Sequence, residues 1–208
     1  MTPQAALDHG LGELKLSLPD SARAQLIAYL ALLAKWNKIF NLTAIRDPLQ
    51  MVSLHILDSL AVLRELPPGP LADVGSGAGM PGIAIAIAEP ARSIVLVEAN
   101  QKKASFLRQA VIELGLANSA VEALRVEAWH PVERFAVVIT RAFAELVDFI
   151  ACCRHLVAEG GVLAAMKGAY PEGELARAGA HCDCGDVRRI AVPFLSAERH
   201  LVLCRLKD

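Results

Sequence analysis

The segment Leu71-Ala72-Asp73-Val74-Gly75-Ser76-Gly77-Ala78-Gly79-Met80-Pro81-Gly82 constrains this chain more than any other. A short apolar run ends in a cluster of glycines, and an apolar stretch with helical character, Pro81 to Ala88, follows at once. Glycine belongs where the backbone must turn sharply and let a ligand approach, and a helix that starts just beyond offers free N–H groups. Strand, glycine turn and helix in that order open a parallel sheet covered by helices, so further strand and helix pairs must follow.

They do. Leu71 to Val74, Ser93 to Glu98, Ala120 to Val126, Phe135 to Thr140 and Val162 to Met166 read as strands, and Pro81 to Ala88, Gln101 to Leu114, Glu145 to Leu156 and Glu172 to Ala178 as helices. The strands are nearly continuous apolar runs, as a sheet buried on both faces requires. Val187 to Val192 and His200 to Leu206 are joined by a short link with no helical stretch, which predicts a terminal antiparallel pair. Ahead of the break at Pro67-Pro68-Gly69-Pro70 the spacing predicts two amphipathic helices. One is capped by Pro19-Asp20-Ser21 and carries Leu26, Ile27, Leu30, Leu33 and Ala34 as far as about Trp36. The other starts at Asp47-Pro48 and lines up Met51, Leu54, Leu57 and Ala61. His55 and Asp58, three apart on it, read as an acid/base pair or as a structural hydrogen bond. At 208 residues the chain suits one structural unit: a helical N-terminal extension, 1–67, packed on a Rossmann-like core, 68–208. The expected class is α/β, a mostly parallel, doubly wound, seven-stranded sheet with a C-terminal antiparallel hairpin.

Charge narrows the partners. With 21 Lys+Arg against 22 Asp+Glu the net charge is -1, which excludes a chain-wide basic field and leaves a local one open. Mean hydropathy of +0.41 raises the question of a membrane, but Leu26 to Leu33 and Ile83 to Ala88 fall far short of the ~20 residues a span needs. The start, Met1-Thr2-Pro3-Gln4, shows no basic segment leading into an apolar one, so a cytoplasmic location is expected. Cys152, Cys153, Cys182, Cys184 and Cys204 make an odd count without a regular framework and read as reduced thiols. His181-Cys182-Asp183-Cys184 invites a metal, but one intervening residue is not zinc-knuckle spacing and no metal is expected.

Gly77 to Gly82 matches G-x-G-x-x-G, a pattern that alone suits NAD equally well, and no Lys-Ser or Lys-Thr follows to make a phosphate loop. Asp73 separates these readings. A carboxylate just before the glycines suits a cationic ligand and repels a pyrophosphate, which favours S-adenosylmethionine over NAD. Glu98, ending the second strand, can hold ribose hydroxyls in either class. A non-catalytic module that kept the pocket remains open at this point.

The chain resembles the bacterial 16S rRNA guanine-N7 methyltransferase family, RsmG or GidB. The resemblance rests on Trp36-Asn37-Lys38-Ile39-Phe40-Asn41-Leu42-Thr43-Ala44-Ile45-Arg46-Asp47-Pro48, His55-Ile56-Leu57-Asp58-Ser59-Leu60, Asp73 to Gly82, Thr140-Arg141-Ala142-Phe143, Met166-Lys167-Gly168 and Glu198-Arg199-His200-Leu201-Val202, in the family's order. It implies a class I S-adenosylmethionine-dependent methyltransferase that modifies guanine N7, by family guanosine-527 in the 530 loop. Methylation of another RNA or of a small molecule is the alternative. The resemblance implies cofactor contacts at Gly75, Met80, Val126, Glu127 and Arg141, with Asp73, Gly77 and Glu98 beside them. Lys102, Arg125, Lys167 and Arg199 are the cations it assigns to rRNA or the active site. Phe143 either stacks on the target base or packs as core or lid, while Lys103 reads as a surface charge and Trp36 and Trp129 as packing residues. Glu98 stands where the family often has Asp, and Thr140 where Ser is common. Guanine N7 carries a lone pair and no proton, so neither a catalytic base nor a metal is expected. The implied partner is 16S rRNA, in a small-subunit or assembly particle, met by a monomer.

Overall fold

In the computed structural model, which describes residues 1–141, 143, 145–179 and 182–207, one sheet is built from β1 (Leu71–Val74), β2 (Ile94–Val97), β3 (Ser119–Glu122), β4 (Phe135–Thr140), β5 (Val157–Lys167), β6 (Cys182–Arg189) and β7 (His200–Leu206). The order is β3-β2-β1-β4-β5-β7-β6. The first five strands run parallel, and β7 lies antiparallel between β5 and β6. The expected doubly wound sheet with a terminal hairpin is the observed one. Because β1 pairs with both β2 and β4, the carboxyl ends of all three meet at one edge, where ligands of such sheets bind.

The helices are α1 (Pro3–Glu13), α2 (Asp20–Phe40), α3 (Pro48–Met51), α4 (Asp58–Leu60), α5 (Gly82–Ala88), α6 (Gln101–Glu113), α7 (Leu146–Cys153) and α8 (Glu172–Ala178). A π-helical stretch, Val52–Leu57, joins α3 to α4. Two apolar layers cover the sheet. One joins α1, α2, α5 and α6 to residues such as Leu71, Val137 and Ile139. The other joins α7 and α8 to Ala72, Val74 and Val138.

Several elements differ from expectation for identifiable reasons. The spacing did not predict α1, because Gly10 and Gly12 weaken its helical pattern. Yet Thr2 caps it by accepting the Ala5 N–H at 3.2 Å, and a β-carbon at Gly10 would clash with Leu57, so the glycine allows close packing. In α2 no side chain caps the start; Asp20 pairs with Arg23 instead. That helix runs past Trp36 until Asn41, at φ 49°, stops it in the left-handed conformation. Asp47 does cap α3, accepting the Gln50 N–H at 2.8 Å. The strand β3 ends at Glu122, and Val126 sits instead in a 3-10 turn, Val126–Ala128. Inward Cys182 and Cys184 alternate with exposed Asp183 and Gly185 in β6, a weakly apolar pattern that hid its start.

The reduced-thiol expectation fails for one pair. Cys184 and Cys204 are disulfide-bonded, because a bulge between Asp183 and Asp186 brings Cys184 opposite Cys204 across the antiparallel strands. Cys152, Cys153 and Cys182 are free thiols. His181 lies outside the described residues, and among those described no group of metal-ligating side chains forms. No helix among them is long and apolar enough to cross a membrane.

Candidate functional site

The glycine turn leaves β1 with Gly75, Gly77 and Gly79 at φ of 72°, 58° and 93°, conformations that L side chains rarely adopt. Its backbone is held from beneath. The N–H groups of Gly75 and Ser76 donate to the Val97 carbonyl at 2.9 and 3.2 Å, and Ser76 Oγ donates to the Asp73 carbonyl at 2.7 Å. A β-carbon at Gly75 would meet nothing within 4 Å, so the open side of the turn is a cradle and not a packing contact.

Asp73 lies wholly buried under this turn. Its Oδ2 accepts the N–H of Gly82, the first residue of α5, at 2.9 Å, while Oδ1 is buried without a partner. Burial pushes the carboxyl up to about 7, against the Gly82 N–H and the Arg141 charge, which both pull it down. Its place is therefore beneath the cradle, fastening strand to helix. Glu98 secures the other side, accepting the Gly77 N–H at 2.8 Å and the Asn100 N–H at 2.7 Å. Each of its oxygens keeps a second lone pair for a hydroxyl donor.

The wall over the cradle comes from the N-terminal helices. The Tyr29 hydroxyl, buried in α2, donates to the Ala78 carbonyl. Asn37 clamps Thr43 by two hydrogen bonds of 2.9 Å, and Thr43 Oγ1 accepts the Ile45 N–H and meets His55 Nε2 at 3.0 Å. Leu42 and Thr43 thereby close a cavity of about 150 Å³ over Gly75, Gly77 and Met80. A second cavity, about 400 Å³, is lined by Ile45, Asp58, Lys167, Gly168 and Arg199. His55 and Arg141 line both. A larger hollow of about 800 Å³ opens around Pro68 and Pro90, at the amino ends of β1 and β2, away from the glycine turn.

Charges in the shared wall are paired. Arg141 Nη1 donates to the Leu54 carbonyl at 3.0 Å and lies 3.4 Å from Asp58 Oδ2, while Nη2 is 3.7 Å from Met80 Sδ. Arg199 Nε donates to Asp58 Oδ1 at 2.9 Å. Lys167 Nζ donates to Glu174 at 2.7 Å and to the Phe143 carbonyl at 3.2 Å. His55 and Asp58 do not bond to each other, which removes the acid/base pair. Burial, with Arg141 nearby, lowers His55 to about 4 and keeps it neutral.

Of the residues singled out in the sequence, Gly75, Gly77, Met80 and Arg141 meet at the smaller cavity, and Lys167 and Arg199 at the larger. Others stand apart. Val126 is buried in the layer that holds Val74 and Val97, and exposed Glu127 accepts the Cys152 thiol at 3.5 Å; neither lines the smaller or the larger of these two cavities. Lys102 and Arg125 reach solvent, beyond β2 and β3. Phe143 is half-buried and tilted on Phe149 at 5.4 Å, and Ala142 beside it lies outside the described residues. Trp36 and Trp129 pack, against Phe40 and Phe106 and against Phe135. Tyr29, Asn37 and Thr43 escaped notice as site residues, although a buried polar pair eight apart on an apolar helix face was a usable signal.

Solved structures share this fold. A glycopeptide N-methyltransferase, MtfA, complexed with S-adenosyl-L-methionine aligns with TM-score 0.63 at 10% identity, over 74% of this chain and 88% of that one. The DhpI–SAH complex aligns with TM-score 0.58 at 17% identity, over 96% and 98%. The architecture is that of class I S-adenosylmethionine-dependent methyltransferases. Sequence relatives are much nearer. Ribosomal RNA small subunit methyltransferase G of Methylobacillus flagellatus is 50% identical over 199 residues, 96% of each chain. That of Laribacter hongkongensis is 47% identical over 207 residues and the full length of both. Residues 22–202 match the family described as GidB, rRNA small subunit methyltransferase G, and the chain belongs to that family.

Proposed function

We propose that the chain transfers the methyl group of S-adenosylmethionine to N7 of a guanine in 16S rRNA, with guanosine-527 as the target that the family points to. One observation carries this reading: a glycine cradle and an arginine-lined cavity share a wall made of His55 and Arg141, so a methyl donor and a polyanionic acceptor can meet across it. The residues present fit the donor. The space at Gly75 is open, and Glu98 has lone pairs left for ribose hydroxyls, while Asp73 fastens the turn from beneath.

S-adenosylmethionine, when bound, supplies a methyl group activated by its sulfonium. Gly75 and Gly77 would take the methionine portion against backbone, Met80 would pack on it, and Val126 and Glu127 would border the adenine. Leu42 and Thr43 would border the bound donor on the side opposite the glycines. Lys102, Arg125, Lys167 and Arg199 would hold phosphates, with Phe143 available to stack on the extruded base. Since guanine N7 attacks with its own lone pair, alignment is the main task left to the protein, and neutral His55 serves as wall. The reading places the protein in the cytoplasm, acting as a monomer on a small subunit or an assembling particle, with 1–67 as an extension that completes the pocket of 68–208.

The test is mass mapping of methylated nucleotides in 16S rRNA from cells with and without the gene. A single 7-methylguanosine should vanish on deletion and return with the intact gene. An unchanged 7-methylguanosine set would overturn the reading.

A further inference from the structure

Asp58 sits where three distant stretches of the chain meet. It is 3% exposed, at the end of the π-helical stretch, and each oxygen faces a different guanidinium. Oδ1 accepts from Arg199 Nε at 2.9 Å, and Oδ2 lies 3.4 Å from Arg141 Nη1. Arg141 follows β4 and reaches toward Met80 in the glycine turn; Arg199 precedes β7 and lines the larger cavity. Among the described residues neither arginine has a second carboxylate partner. Two guanidiniums on long stems in one half-buried wall repel each other and would swing apart into solvent. A buried carboxylate between them is costly to desolvate, and two charge-assisted contacts offset that cost only while both arginines stay in place.

We propose that Asp58 is a positioning residue that sets Arg141 against the donor cavity and Arg199 against the acceptor cavity, fixing the distance between methyl donor and RNA backbone. This rests on the functional reading above. It also specifies the ligand chemistry of the larger cavity. Lys167 is neutralised by Glu174 and one arginine by Asp58, so the wall keeps a single net positive charge, a match for one phosphodiester.

The test compares Asp58→Asn, Arg199→Ala and the double variant in steady-state methylation of purified small subunits, with S-adenosylhomocysteine calorimetry and a thermal melt for each. Asp58→Asn should raise the KM for RNA roughly tenfold, as loss of a charged hydrogen bond does, with a smaller change in kcat. It should also weaken S-adenosylhomocysteine binding severalfold, which Arg199→Ala should not. In the KM for RNA the double variant should resemble Arg199→Ala to within about twofold, because coupled residues are not additive, while its S-adenosylhomocysteine binding should resemble that of Asp58→Asn. KM effects that multiply in the double variant, or an Asp58→Asn protein with parental KM and parental S-adenosylhomocysteine affinity, would overturn the proposal. A parental KM in Arg199→Ala would instead remove the assignment of Arg199 to RNA, and the proposal with it. If Asp58→Asn fails to fold, Arg199→Lys, which keeps the charge but not the Nε donor, takes its place: a raised KM supports the proposal and a parental KM overturns it.

Discussion

Replacing Asp73 by Asn should separate two titrations that oppose each other in the folded protein. Asp73 rises from 3.8 to about 7 and His55 falls from 6.5 to about 4, both mainly through burial. Between pH 4 and 7 the folded state holds the Asp73 proton more tightly than the unfolded chain does. Its contribution to stability therefore declines as pH rises through that window, by roughly 4 kcal/mol in all. His55 acts in the opposite sense. Between pH 4 and 6.5 the unfolded chain binds the imidazole proton more readily, so stability gains roughly 3 kcal/mol as pH rises. In the parent the two contributions largely cancel. Asn at position 73 still accepts the Gly82 N–H, and its amide in place of the unpartnered Oδ1 adds an offset that does not vary with pH. Urea unfolding at several values between about pH 4 and 7.5 reads the difference. The stability of Asp73→Asn relative to the parent should climb by several kcal/mol across that range, and that of His55→Gln should fall. A difference that stays flat with pH for Asp73→Asn would refute the argument that burial holds this carboxyl protonated.

Two further predictions concern the cradle and the chemistry. Gly82→Ala puts a β-carbon 2.7 Å from Asp73 Oδ2 and into Leu96, and urea unfolding should show a loss of about 1–3 kcal/mol; Gly75→Ala, strained only by its φ of 72°, should cost less yet weaken S-adenosylhomocysteine binding in calorimetry. Rapid-quench methyl transfer at saturating donor and RNA should lack a step near the histidine range of about pH 6 to 7 in both parent and His55→Gln, whereas a rise through that range lost in the variant would make His55 a base.

The sheet was legible because its strands carry their signal locally. Phe135 to Thr140 and His200 to Leu206 are apolar runs with the bounds they have in the fold, and the glycine turn declares its own backbone demands. The walls of the site were less so. Tyr29, Asn37 and Thr43 act through partners as far as 49 residues away, and no spacing rule connects Tyr29 to the Ala78 carbonyl. Asp58 read as the partner of His55 because both lie on one helix, but the π-helical stretch alters the spacing and two arginines from beyond β4 and before β7 claim the carboxylate. Asp73 stood out in the sequence as a carboxylate just before the glycines; its place beneath the turn, where burial favours its neutral form, did not. Its complete burial depends on Gly82, whose missing side chain lets α5 settle onto the strand.

The larger cavity draws its wall from Ile45, ahead of the sheet in sequence, and from Arg199, just before β7, and the bond between Asp58 and Arg199 spans 141 positions. A chain folded only through β5 lacks Arg199 and so cannot assemble this pocket. The cavity therefore forms only once Arg199 and β7 have joined strands laid down far upstream, after a long loop closure.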